Sequence, residues 1–165
     1  MRDDTRIQLN RDQEYSARKL SSGFKRGTII VDSCRNVRVR LSLNESVLKY
    51  AKAHRFAEDP WKRQRHRNLF DRYVAVSDAG PVFLFGCEIG QSAQDYHNGG
   101  AFSFSFLDAA ETWASRNAGP AGISVATTFH MSIAELRKEG IEDQKPVIDG
   151  AIRKKDHFPF AVVTP

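Results

Sequence analysis

The chain has 165 residues with 41% hydrophobic content, including 11 Phe, 4 Tyr and 2 Trp, a formal net charge of +5 and a pI near 9.4. That is sufficient for one hydrophobic core and is most simply a single domain. No apolar run approaches the ~18 residues needed to span a bilayer, and the two cysteines, Cys34 and Cys87, form neither a CxxC motif nor a Cys/His ligand pattern.

Charge is distributed unevenly. Residues 1–72 carry 18 Lys/Arg against 9 Asp/Glu, while residues 73–165 carry 7 against 11. Such asymmetry points to an anionic partner, most often nucleic acid. Attraction between the two halves within one fold is the plainer alternative.

In chain order, residues 1–22 are polar with mixed charge and lack the features of a signal or transit peptide. They read as a flexible or late-docking N-terminal arm on a cytoplasmic protein. Thr28, Ile29, Ile30 and Val31 predict a strand from β-branched content, and residues 32–36 predict a turn. Residues 37–43 alternate, with Val37, Val39, Leu41 and Leu43 on one face and Arg38, Arg40 and Ser42 on the other. The two strands are expected to pair as a β-hairpin. A helix is expected over 45–57, with Lys49, Lys52 and Arg55 sharing a face.

The most basic run follows. Asp59 and Pro60 mark a helix start, and Trp61, Leu69, Phe70 and Tyr73 supply its apolar side. Lys62, Arg63, Arg65 and Arg67 occupy the other faces. Residues 73–76 and 82–85 are β-prone runs separated by Ser77, Asp78, Ala79, Gly80 and Pro81, and predict a second hairpin. The unbroken run Val82, Phe83, Leu84, Phe85 suits a central strand covered on both faces.

Residues 91–100 read as a polar loop. Phe102, Phe104 and Phe106 alternate with Ser103 and Ser105 as in a strand, and a helix is expected over 107–116, stopped at 117–120. Residues 123–129 predict a strand. Ser132 and Glu135 have capping-box spacing for a short helix ended by Gly140. Asp149 and Gly150 suit a turn, and residues 158–163 a last strand. The expected fold is therefore α+β, a single domain with a mainly antiparallel sheet of hairpins and three or four packed helices.

The basic cluster is the leading candidate site. Lys49, Lys52, Lys62, Arg63, Arg65 and Arg67, with Arg38 and Arg40 on the preceding strand, would track phosphates, and Trp61, His66 and Tyr73 would add stacking surface. The strand, helix, helix order over 37–76 is similar to that of ribbon-helix-helix DNA binders, whose paired strands enter the major groove. Here another strand precedes the first, and the turn at 57–60 lacks a glycine-type bend.

A small enzyme acting on a nucleotide or phosphodiester is the alternative. His97, Glu111 and His130 are its acid–base candidates, and Gly99 and Gly100 would let the backbone approach a ligand. Arg38, the Phe/Ser alternation at 102–106 and Glu139 or Glu142 are loosely similar to the Arg, Ser-rich strand, Glu order of ADP-ribosyltransferases. A protein-binding inhibitor or interaction module is the third class. Turns and loop ends account for Asp143, Asp149 and Asp156, so neither a metal nor a cofactor is expected, and no membrane partner.

Overall fold

The computed structural model describes residues 6–10, 13–16, 26–32, 39–40, 60–96, 99–149 and 158–165. Its elements are β1 (Arg6–Asn10), β2 (Gln13–Ser16), β3 (Arg26–Val31), β4 (Val39–Arg40), α1 (Pro60–Val76), β5 (Gly80–Phe85), β6 (Asp95–Tyr96), β7 (Gly99–Gly100), α2 (Ala101–Ser115), β8 (Ala121–Ser124), α3 (Val125–Lys138), β9 (Val147–Asp149) and β10 (Pro159–Val163). The class is α+β, with mixed and antiparallel pairing and three helices among the described residues.

The central pairing is parallel. β3 runs alongside β5 in unbroken register from Arg26↔Gly80 to Val31↔Phe85, and β9 adds to the other edge of β5 antiparallel. Neither expected hairpin forms here. The partner of β3 is β5, while β4 pairs with β1. Residues 73–76 are the last turn of α1. Parallel neighbours need a crossover of a dozen residues or more, and residues 32–79, which include α1, provide it. Pairing β3 with β5 also places both apolar strands in one sheet, where Val82 and Leu84 pack with Phe102 and Phe106 while Val31 and Phe85 form a second cluster. β5 is the central strand its composition predicts: Val82 and Leu84 are fully buried and Phe85 nearly so.

At the N-terminal end, β1 and β2 pair antiparallel, so strands occupy part of the predicted arm. The helix expected over 45–57 lies outside the described residues.

The Phe/Ser run is a helix, not a strand. Over the fifteen residues of α2, the buried positions Phe102, Ser105, Phe106, Ala109 and Ala110 fall at i, i+3, i+4, i+7 and i+8, the stripe of an amphipathic helix. Phe104 turns outward, 40% exposed. The five-residue alternation at 102–106 is a short coincidence inside this longer period. The strand predicted over 123–129 is likewise divided. β8 ends at Ser124, whose hydroxyl accepts the Thr127 N–H at 3.1 Å and caps α3. Ser132 lies inside α3 and donates its hydroxyl back to the Phe129 carbonyl at 2.7 Å. Glu135 pairs with Lys138 at 2.7 Å, so the capping-box spacing caps nothing. Gly140 ends the helix region as expected: its φ is 74°, and Ile141 N–H reaches the Leu136 carbonyl at 3.0 Å.

The core lies where α2 and α3 pack together and against β5, β8 and β10. Phe102, Phe106 and Phe129 meet at ring distances of 5.7 and 5.9 Å, and Phe160 of β10 stands edge-on to Phe106 at 4.5 Å. β10 pairs antiparallel with β8 and also receives α1. The Tyr73 ring lies so close over Gly122 that a Cβ there would sit 2.7 Å from it. Among the described residues no helix is long and apolar enough to cross a membrane.

The helical register of α2 separates Phe106 from Phe104, which a strand would place on one face. Phe106→Ala is expected to cost about 3–5 kcal/mol in urea unfolding, and Phe104→Ala about 1 kcal/mol or less. Equal losses would contradict the helix.

Candidate functional site

Two surfaces have functional potential: the predicted basic helix, and an acidic niche that the sequence did not reveal.

α1 is anchored through its second half. Leu69 is buried, and Phe70, Tyr73 and Val74 are half-buried. Ser77 closes the helix by donating its hydroxyl to the Val74 carbonyl at 2.8 Å, and Arg26 Nε binds the Ser77 carbonyl at 3.3 Å. In the first half only His66 is half-buried. Lys62 and Arg63 share the angular sector of Leu69 and Phe70, about two turns earlier, yet both are exposed. Relative to the other described elements the helix therefore overhangs, and Lys62, Arg63, Arg65 and Arg67 lie on that exposed half. Trp61, expected on the buried stripe, is 76% exposed. Arg67 has Asp71 3.8 Å away, an exposed pair of small energetic weight.

Other predicted positions are dispersed. Arg40 lies in β4. Arg38, Lys49, Lys52 and His97 fall outside the described residues. Glu111 and His130 are exposed on α2 and α3, and among the described residues no hydrogen bond or ion pair joins them. Because residues 102–106 belong to α2, the Ser-rich strand of the ADP-ribosyltransferase order is missing at that place.

The niche forms where β3 and β5 end. Asp32 follows β3, Gly86 follows β5, and Gly86 N–H donates to the Val31 carbonyl at 2.9 Å. The N-terminus of α2 abuts the same point. Its cap residue, Gly100, has no side chain to offer. Asp32 takes over that role from 71 residues away, its Oδ2 accepting the Ser103 N–H at 2.6 Å. A Cβ on Gly86 would collide with Asp32 Oδ1, and one on Gly100 with Oδ2. The glycine whose purpose was expected to be a ligand's approach thus admits the chain's own carboxylate. Asp32 Oδ1 is buried and has no hydrogen-bond partner among the described residues.

Burial pushes the Asp32 carboxyl above the usual carboxylate value. Hydrogen bonds from the Ser103 backbone and hydroxyl pull it down, and the nearby negative charge of Asp95 adds to the rise. Asp95 itself is exposed and is the ladder partner of Gly100, so the two acids flank one glycine, Asp32 packed inward and Asp95 at the surface.

A clasp of two glutamines ties the neighbouring loops together. Gln144, buried, donates to the Gly86 carbonyl at 2.6 Å and accepts the Gln94 N–H at 2.8 Å. Gln91 donates to the Asp143 carbonyl at 3.2 Å and accepts the Lys145 N–H at 3.1 Å. Cys87 Sγ donates to the Gln91 carbonyl at 3.2 Å. An acid directly after a β-branched strand was the one available sequence signal for this site, and the expected hairpin turn concealed it. Among the described residues no three His, Cys, Asp or Glu side chains gather as metal ligands.

Comparison with protein-family models, with characterised proteins and with solved structures returns no match to this chain.

Because the folded Asp32 carboxyl titrates above its ordinary 3.8, its contribution to stability is complete below that pH and is lost as pH rises through the folded value. Asp32→Asn keeps an acceptor for Ser103 and cannot ionise. Urea unfolding across pH 3–8 should therefore show a smaller fall with rising pH in Asp32→Asn than in wild type. Parallel curves would contradict the burial of an ionisable Asp32.

Proposed function

We propose that the protein recognises a cationic group, a guanidinium or ammonium, at the carboxyl ends of β3 and β5, using Asp32 and Asp95. The observation that carries this reading is the Asp32 carboxylate: mostly buried, repelled by Asp95, and with one oxygen lacking a donor among the described residues. A buried acceptor without a donor is costly, and a guanidinium supplies donors and opposite charge together. The position also favours a site, since ligands of parallel αβ units bind beyond the carboxyl ends of the strands. A raised carboxyl beside a second acid is a recognised mark of functional positions. Asp95 at the surface would meet the cation first, and Asp32 would hold it. The glutamine clasp would keep the neighbouring loops together.

Calorimetric titration with agmatine tests this. Affinity should rise with pH as Asp32 ionises, and Asp32→Asn should weaken binding about 10- to 100-fold, the weight of a charge-assisted hydrogen bond. Asp95→Asn should weaken it less. Binding that Asp32→Asn leaves unchanged, or no binding by wild type, would overturn the assignment.

A second reading draws on a separate observation, the overhang of α1 with its exposed Lys62, Arg63, Arg65 and Arg67. It is binding of nucleic acid, mostly through backbone phosphates. Wild-type affinity for short oligonucleotides should fall steeply with salt. Changing all four cations to Ala should remove most of the binding while circular dichroism stays unchanged. Equal binding by that variant would exclude α1 as the surface.

A further inference from the structure

We infer that α1 takes a single-stranded nucleic acid, with a base stacked on Trp61. The inference rests on the nucleic-acid reading of α1 and adds the strand form and the contact.

Trp61 is the most unusual side chain on the helix. Tryptophan is normally well buried, yet here it is 76% exposed, in the first turn of a helix that begins at Pro60. It lies within one turn of Lys62, Arg63 and Arg65. At 3.6 residues per turn, Trp61, Arg65, Asn68 and Arg72 fall along one side, about 16 Å from first to last. All four are exposed, and this side is turned away from the sector that contains Phe70 and Val74. The line presents an indole, two guanidiniums and an amide.

Single strands are bound by this combination of a cationic track and an aromatic face. Each base has a π-face that can stack on indole without regard to sequence, and Arg adds its own planar stacking. In an intact duplex those faces are stacked against neighbouring bases, so an exposed indole has no base face to cover. Duplex DNA would still meet the cations, but without a contribution from Trp61. Charge complementarity alone would accept any polyanion. The exposed indole selects the one that carries unstacked bases.

The full chain with Trp113→Phe tests this, because Trp61 is then its only tryptophan. Three probes are titrated at low salt: a mixed-sequence single-stranded oligonucleotide, the same sequence as a duplex, and inorganic polyphosphate. The single strand should quench Trp61 fluorescence, and polyphosphate should not. In an otherwise wild-type chain, with binding followed by anisotropy of a labelled oligonucleotide, Trp61→Ala should lower single-strand affinity about tenfold or more. Competition by polyphosphate should be unchanged. If Trp61→Ala binds the single strand as tightly as wild type, or lowers duplex and single-strand affinity equally, stacking is refuted while the phosphate-binding role of α1 survives. If neither strand form binds wild type, or if the variant lacking Lys62, Arg63, Arg65 and Arg67 binds both as tightly, the nucleic-acid reading itself fails.

Discussion

The parallel contact between β3 and β5 is the constraint on which the other features depend. It joins two strands separated by the whole of α1 and the segment before it, in register over all six residues of each. Both strands are apolar enough to need cover on two sides. Val82 and Leu84 enter the cluster with Phe102 and Phe106, while Val31 and Phe85 form a second cluster with Ile29, Phe83 and Val147. Because the strands run the same way, they end at the same edge, and Asp32 and Gly86 become neighbours there. A hairpin would have sent the two ends to opposite edges.

At that edge the chain accepts a local cost. An acid is placed between two glycines and beneath a helix start, and burial works against its charge. The helix repays part of that cost, because the first N–H groups of α2 have no internal acceptor, and Asp32 supplies one in place of Gly100. The exchange leaves one oxygen without a donor among the described residues. A residue needed only as a cap would be better served by Asn or Ser, which carry no charge to desolvate. The carboxylate at this position, with Asp95 nearby, is the feature on which the proposed cation site rests.

The overhang of α1 is a different economy. Its anchoring half uses Leu69, Phe70, Tyr73 and Val74 against the body, and Gly122 makes room for the Tyr73 ring. Its first half is largely exposed, and the cations and an indole lie there. The two surfaces have opposite charge, one centred on Asp32 and Asp95 and one on the exposed cations of α1.

What the sequence determined by itself is local. The start of α1 at Pro60, the end of α2 before residues 117–120, the positive φ of Gly140, the burial of the 82–85 run and the last strand at 159–163 were all legible, because each depends on backbone chemistry within a few residues. The charge asymmetry, and with it the exposed cations of α1, was legible too. Strand partners were not, since the hydrogen bonds of a strand are made with residues far away in the chain, and a β-prone run such as 28–31 suits a hairpin as well as a crossover. The first part of α2, 101–106, was hidden because five alternating residues also fit a strand, and only packing against α3 and β10 decided between them. The Asp32 niche was the least legible feature. Its parts, Asp32, Gly86, Asp95, Gly100 and Ser103, come from four separate segments, and only the tertiary structure brings them together, at the place where two parallel strands end and a helix begins.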